Sequence, residues 1–360
     1  MERLILFGTG YYGKKILRYL KDKDNQIICF ADNNEKLWGT LIDGVPIVPP
    51  SSILERSFDA IVICVSDKYY SEIYRQLCSD LMIDAKKIRH WTYWQRKVLL
   101  EYYKKVEYLN TGEKDVIKRL QETDRLRVFN FDFTEERKEQ AECKFDDSCE
   151  MFYGFYCGRK IYLKKSFDTK AKAKEYSDYL VMEQDDKSPH RYLDDSFTFD
   201  GGVLLDAGAA EGNFSLEIIE KADKVILLEA DRQWNEALHK TFEPWKDKVV
   251  IINKYLGNKD DSSHITIDSL SKEYDLSFIK MDIEGAEVDA IEGARKYIKS
   301  QKKLKMAICV YHNNDDEKKI RNILVPLGLH VTTTQGYMIF IENMNQPPRL
   351  VHGVLRVEKS

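Results

Sequence analysis

The chain has 360 residues and sets 56 Lys plus Arg against 60 Asp plus Glu, a formal charge of −4. At about 100–200 residues per domain this length calls for two domains, or two plus a connecting segment, and near-neutrality leaves no broad basic field to hold a nucleic-acid backbone. Hydrophobic residues at 43% and aromatics at 12% suffice for packed cores, which excludes a largely disordered chain. The first predicted element is the strand Leu4-Ile5-Leu6-Phe7. It runs into Gly8-Thr9-Gly10-Tyr11-Tyr12-Gly13 and a helical stretch, Lys14 to Leu20. This is G-x-G-x-x-G between a strand and a helix, where small residues let the backbone approach a diphosphate and the helix start offers unpaired N–H groups.

A second strand, Gln26 to Phe30, ends at Asp32, about 20 residues past the glycines, where a carboxylate can take ribose hydroxyls. Gly8, Gly10, Gly13 and Asp32 are therefore the candidate nucleotide-binding residues. A third strand, Ala60 to Val65, ends in Ser66-Asp67. Phe30-Ala31-Asp32-Asn33-Asn34 and Gly44-Val45-Pro46-Ile47 resemble the N-terminal domain of bacterial sugar acyltransferases. The resemblance implies a pocket for a nucleotide or nucleotide-linked sugar, and no reaction.

Residues 93–180 read differently. The stretch from Trp91 to Tyr179 contains no proline, is rich in Lys, Glu and Tyr, and shows helical spacing at Val98 to Leu109 and Asp115 to Leu120. Met151 to Tyr156 and Lys160 to Lys164 alternate about Cys157-Gly158-Arg159 as a hairpin. We expect a mainly helical bridge between a first domain at 1–92 and a second at 181–360. Cys143, Cys149 and Cys157 are spaced C-x5-C-x7-C, unlike the close pairs of a structural zinc site.

The strand-glycine-helix grammar returns at Val203-Leu204-Leu205-Asp206-Ala207-Gly208-Ala209-Ala210-Glu211-Gly212-Asn213, now with an acid at the strand's end. Asp206 repels a diphosphate and attracts an ammonium or sulfonium group, and S-adenosylmethionine carries both. The next strand, Lys224 to Leu228, ends in Glu229-Ala230-Asp231, and Glu229 is placed to accept two hydrogen bonds from a ribose diol. Two acids ending successive strands mark a class I methyltransferase. From here the chain resembles the FkbM-type family of S-adenosylmethionine-dependent methyltransferases. The resemblance rests on Asp206 to Gly212, Thr266-Ile267-Asp268-Ser269-Leu270, and Phe278-Ile279-Lys280-Met281-Asp282-Ile283-Glu284-Gly285-Ala286-Glu287. Alanine stands at 210 where many class I enzymes have glycine and many FkbM-type loops asparagine. The family implies a doubly wound sheet with a reversed final strand, and methylation of an oxygen on a sugar or natural product.

Phe278, Ile279, Met281 and Ile283 mark a central strand, which puts Lys280, Asp282 and Glu284 on one side at i, i+2, i+4. A lysine there needs a carboxylate partner, while Asp282 and Glu284 should face the cofactor cleft at the strand's carboxyl end. The following strand, Lys305 to Val310, delivers Tyr311-His312-Asn313 to the same edge, and His312 is the candidate general base. With Lys280, Asp282 and Glu284 it forms the expected catalytic set. Upstream, the polar segment Glu183 to Tyr192 precedes the domain's first strand and supplies His190, Arg191 and Tyr192 as candidate acceptor contacts. Tyr337 to Ile341 and Val351 to Val357 read as a closing antiparallel pair.

The expectation is thus an α/β chain of two Rossmann-like doubly wound units. The second is a class I methyltransferase that binds S-adenosylmethionine through Asp206, Gly208, Ala209, Ala210, Glu211, Gly212, Asn213, Glu229, Ala230, Asp231 and Asp282. A small-molecule or glycan hydroxyl accepts the methyl group, a nucleotide-linked sugar sits on the first unit, and the candidate assembly is a homodimer. No metal site is expected, nor a nucleic-acid partner. The alternative is a non-catalytic nucleotide-sugar-binding protein with a vestigial methyltransferase domain. The longest apolar run, Ala60 to Val65, falls far short of the about 20 residues of a membrane helix. The start holds too short an apolar stretch for a signal peptide. With seven cysteines, an odd number, and Cys29, Cys64 and Cys309 inside apolar runs, the chain is expected to be reduced and cytoplasmic.

Overall fold

The computed structural model describes every residue except 22, 24, 138, 139, 342–345 and 360, and the side chain of 135. The chain divides into two compact units, Met1–Val128 with Ile341–Arg349, and Phe129–Phe340 with Leu350–Ser360.

In the first unit, strands β1 (Glu2–Phe7), β2 (Asn25–Ala31), β3 (Leu41–Ile42), β4 (Val45–Val48), β5 (Ala60–Ile63) and β6 (Ile88–His90) form one sheet in the order β3-β4-β2-β1-β5-β6. All neighbours run parallel except β3 and β4. Because both faces are covered, the strands read as continuous apolar runs. Leu4 and Leu6 pack with Ile16, Leu17 and Leu20 of the helix Tyr11–Lys21, while Ile5 and Phe7 pack with Tyr70 and Ile73 of the helix Asp67–Arg75 on the other side. Gly8 takes φ +104°, and a Cβ on Gly13 would lie 2.1 Å from the Gly8 carbonyl oxygen, so helix and turn meet only because position 13 is bare. Asp32 ties the turn to β2. Its Oδ2 accepts from the Thr9 N–H (2.9 Å) and hydroxyl (2.6 Å), and its Oδ1 from the Asn34 N–H (2.9 Å).

The segment read as a bridge is divided between the units. The helices Tyr93–Tyr103 and Thr111–Glu122 belong to the first, the latter opened by a reciprocal Asn110–Glu113 capping box. The second takes the antiparallel strands β7 (Cys143–Asp146), β8 (Met151–Tyr156) and β9 (Arg159–Tyr162) and the helix Lys170–Glu183. Cys157 and Gly158 both have positive φ, as a two-residue hairpin turn demands, so β9 begins at Arg159.

The second unit continues with β10 (Gly202–Ala207), β11 (Ala222–Leu228), β12 (Val249–Ile252), the short parallel pair β13 (Tyr255–Leu256) and β14 (His264–Ile265), then β15 (Leu276–Met281), β16 (Leu304–Cys309), β17 (His330–Thr333), β18 (Met338–Phe340), β19 (Arg349–Val351) and β20 (Val354–Lys359). Seven of these form a sheet in the order β12-β11-β10-β15-β16-β20-β17. The last strand, expected as half of a closing pair, instead inserts between β16 and β17, antiparallel to both. Successive parallel strands run outward from β10 in one direction and from β15 in the other, so the sheet switches between these two neighbours. A crevice for ligands lies at such a switch, beyond the carboxyl ends of the strands. Among the described residues no helix is long and apolar enough to cross a membrane.

Candidate active site

The loop after β10 is built from backbone that few residues adopt. Gly208 has φ +71°, Ala210 +47° and Gly212 +84°, and Gly212 opens the helix Asn213–Ile218. A Cβ on Gly208 would lie 1.8 Å from the Asp282 carbonyl oxygen, so the chain after β10 rests directly on the chain after β15. Asp206 and Lys280 are register partners on those strands. Lys280 Nζ lies 3.1 Å from Asp206 Oδ1 and donates to the Gly208 carbonyl at 2.7 Å, while Ser215 donates to Asp206 Oδ2 at 2.7 Å. Burial by itself lowers the lysine pKa, but Asp206 and Asp282 outweigh it and the net shift is upward. Asp206 is 1% exposed. Its charge is met inside the fold rather than shown to the crevice, and Lys280 lies under the loop, away from the mouth.

Glu229, at the end of β11, takes the Ala210 N–H on Oε2 (2.8 Å) and the Asp231 N–H on Oε1 (2.7 Å). Asp231 in turn pairs with Lys164 at 2.7 Å and caps the turn through the Gln233 N–H. Ala209 and Asn213 are buried within the loop and helix start. An ionised carboxylate accepts about four hydrogen bonds, so Glu229 keeps capacity for two more.

Asp282 is the hub of the crevice. Tyr192 donates to its Oδ2 (3.1 Å) and Tyr311 to its Oδ1 (3.0 Å). Burial raises its pKa, but Lys280 foremost, with the neighbouring His190 and His312, lowers it by more, and the net is downward, leaving an ionised carboxylate. His190 is fully buried. Its Nδ1 faces the Gln184 amide nitrogen at 3.1 Å and therefore accepts, which places the proton on Nε2, 3.3 Å from the Tyr311 hydroxyl. Burial pushes its pKa down to about 4, so this imidazole is neutral. Two further acids face the same space. Glu211, bonded by the Tyr176 hydroxyl, is pushed up to about 7 by burial, and burial beside Asp282 and Glu211 drives Glu183 well above the carboxylate range.

His312 Nε2 stands 3.6 Å from both Asp282 Oδ1 and Glu284 Oε2, and its Nδ1 is 3.1 Å from Glu287 Oε1. Burial lowers the His312 pKa, but these three carboxylates raise it more. The expectation that Lys280, Asp282 and Glu284 share one side of a strand fails at its last member. The strand ends at Met281, Glu284 has φ +56°, and its side chain is 93% exposed. The segment Gln184–Tyr192, open to a solvated-linker reading, is largely buried. His190 and Tyr192 meet Asp282, whereas Arg191 points away into a bidentate pair with Glu217 (2.7 and 2.5 Å), beside a separate cleft of about 460 Å³. Among the described residues, two groups bring possible metal-ligating atoms within 4.8 Å of one another, His190 with Asp282 and Cys309, and Asp282 with Glu287 and His312.

Sequence reasoning passed over Tyr176 and reached Glu183 only as the first residue of the polar segment that ends at Tyr192. Their spacing with Tyr179, at i, i+3 and i+7 of the helix Lys170–Glu183, is a one-face signal that was there to be read.

Comparison with known proteins bears on the two units as domains. Residues 205–339 match the family model of the methyltransferase FkbM domain, and residues 1–89 match that of the C2185-like N-terminal domain. The second match replaces the sugar acyltransferase domain that Phe30–Asn34 and Gly44–Ile47 resemble, for which the comparisons give no support. No curated protein matches the chain. Among solved structures, methyltransferase FkbM from Methylobacillus flagellatus KT is similar over 99% of this chain and 90% of its own, with 16% identity and a TM-score of 0.53. SMU.1697c from Streptococcus mutans, a putative methyltransferase in complex with SAH, covers 46% of this chain and 92% of its own (13% identity, TM-score 0.32). An rRNA methylase from Streptococcus thermophilus covers 46% and 90% (12% identity, TM-score 0.32). The second unit therefore carries a methyltransferase-family domain in a mixed α/β fold with parallel sheets.

Proposed function

We propose that the second unit is an S-adenosylmethionine-dependent methyltransferase acting on a hydroxyl oxygen of a sugar, glycan or natural product. The observation that carries this reading is the set of acids Glu183, Glu211 and Asp282 at the sheet's switch point, with Lys280 committed to Asp206. Such a set of acceptors suits a ligand with an ammonium and a sulfonium, and the spare acceptor capacity of Glu229 suits a ribose diol. When bound, S-adenosylmethionine supplies an electrophilic methyl group. The protein's own part is mostly positioning, which can be worth about 7–11 kcal/mol of barrier. Tyr192 and Tyr311 hold Asp282 in place, and Asp282 with His312 Nε2 faces the acceptor hydroxyl, whose proton His312 takes.

The same acids bear on acceptor choice. A phosphorylated or nucleic-acid acceptor would bring negative charge against Asp282 and Glu284, so an uncharged polyol is favoured. For the first unit we propose a nucleotide-linked sugar at Gly8, Gly10, Gly13 and Asp32. Gly10 supports it: a Cβ there would meet nothing within 4 Å and its backbone is ordinary, so packing gives no reason for glycine, whereas close approach of a diphosphate does. Incubation with S-adenosylmethionine and paired panels of neutral and phosphorylated glycans, read by mass spectrometry, tests the reading. A one-methylene mass gain confined to neutral acceptors is expected, and gains only on phosphorylated ones would overturn the assignment of acceptor class.

A further inference from the structure

We propose that Glu287 is a positioning residue that holds the Nδ1–H of His312 and so turns its Nε2 toward Asp282 and the crevice. The turn after β15 builds this contact. Glu284 and Gly285 take φ of +56° and +97°, and a Cβ on Gly285 would lie 2.9 Å from Asn313 Nδ2 and 3.5 Å from the His312 Cβ, so the two loops touch there. Glu287 follows at the start of the helix Glu287–Glu292, fully buried. Its Oε1 accepts the Ile283 N–H at 3.0 Å, which fixes the carboxylate, and lies 3.1 Å from His312 Nδ1. Its Oε2 is buried with no hydrogen-bond partner. A buried carboxylate is unfavourable without a compensating cation or N–H donor, and the imidazole whose Nδ1 lies beside Oε1 is such a group, although Oε2 stays unmet.

The opposite nitrogen completes the arrangement. Nε2 faces Asp282 from the end of β15 and Glu284 from the turn, each at 3.6 Å, while the Tyr311 ring lies tilted by 40° against the imidazole with centroids 4.2 Å apart, and the buried His190 of the segment before β10 is neutral. Three carboxylates against one neighbouring histidine favour the protonated imidazole, and once deprotonated it keeps its remaining hydrogen on Nδ1. The lone pair is then on Nε2, where a substrate proton can reach it. The catalytic consequence rests on the methyl-transfer reading above; the tautomer does not.

Long-range 15N–1H correlation spectra of the imidazoles, followed across neutral pH in the full chain, read both features directly. In the wild type His312 should be neutral as the Nδ1–H tautomer at high pH, with a pKa above that of an exposed histidine. Glu287→Gln should lower that pKa by a unit or more, and Glu287→Met should return the Nε2–H tautomer that free imidazole prefers. With an accepted acceptor, Glu287→Gln should lower kcat tenfold or more, leave the KM for S-adenosylmethionine unchanged and move the acidic limb of the pH profile to lower pH. An Nε2–H tautomer in the wild type, or a His312 titration unmoved by Glu287→Gln, would overturn the proposal, and the wild-type tautomer decides it even if neither variant folds. Calorimetry with S-adenosylmethionine on the same samples separates the two readings: no binding there removes the methyl-transfer reading and leaves the spectra to judge Glu287.

Discussion

Lys280→Met should destabilise the second unit by about 3–5 kcal/mol, the range for removing one partner of a buried ion pair. The change strands Asp206, 1% exposed, with a single hydroxyl partner in Ser215, and removes the donor that Lys280 gives the Gly208 carbonyl. Two penalties therefore coincide, an uncompensated charge and a freed loop. Adding Asp206→Asn to Lys280→Met should recover most of the first and none of the second, because a neutral amide of nearly the same shape no longer needs a cation. Urea denaturation of the single and double variants measures both terms. A single variant within about 1 kcal/mol of wild type would mean that Asp206 is satisfied in some other way.

Gly208→Ala should abolish cofactor binding and destabilise the same unit by more than about 3 kcal/mol, at the far end of single-substitution effects. Its Cβ would sit 1.8 Å from the Asp282 carbonyl oxygen at φ +71°, and neither side of that contact can yield, since both are backbone at the ends of adjacent strands. Gly13→Ala sets the same conflict in the first unit, 2.1 Å from the Gly8 oxygen, whereas Gly10→Ala meets nothing within 4 Å. The first unit should therefore lose its cooperative transition in Gly13→Ala and stay within about 0.5 kcal/mol of wild type in Gly10→Ala. Thermal unfolding followed by circular dichroism distinguishes the pair, and equal melting points would show that the helix can move off the turn.

What could be read from the chain and what could not divide along a physical line. Buried strands announce themselves as apolar runs such as Leu4–Phe7 and Val203–Leu205, and glycine turns with acids at strand ends follow from local chemistry. The partner of Asp206 is a matter of register between strands more than seventy residues apart, where one residue of slip would pair it differently. Glu183 and Tyr176 reach the crevice from a helix that precedes the seven-stranded sheet, so no spacing near the glycine loop points to them. Glu284 was placed by extending a strand's alternation past its end, and the positive φ after Met281 turns it to solvent. Around the turn closed by the Arg191 N–H on the Ser188 carbonyl, His190 and Tyr192 go to Asp282 and Arg191 itself to Glu217, a division the sequence shows only once the facing side is known.

The most direct test is calorimetric titration of the full chain with S-adenosylmethionine about one pH unit either side of neutrality. The Glu211 carboxyl titrates near pH 7 in the folded protein against an ordinary value of 4.5. The folded state therefore binds the extra proton, and the stability this lends is present below about 4.5 and lost as pH rises through about 7. A bound cation favours the ionised form, so affinity should rise over the same interval with release of protons. Binding in the micromolar range that strengthens from the lower to the higher pH, and weakens at least tenfold in Glu229→Ala, is the expected result. No heat at millimolar S-adenosylmethionine, or binding indifferent to both pH and Glu229, would contradict a cofactor crevice at the switch between β10 and β15.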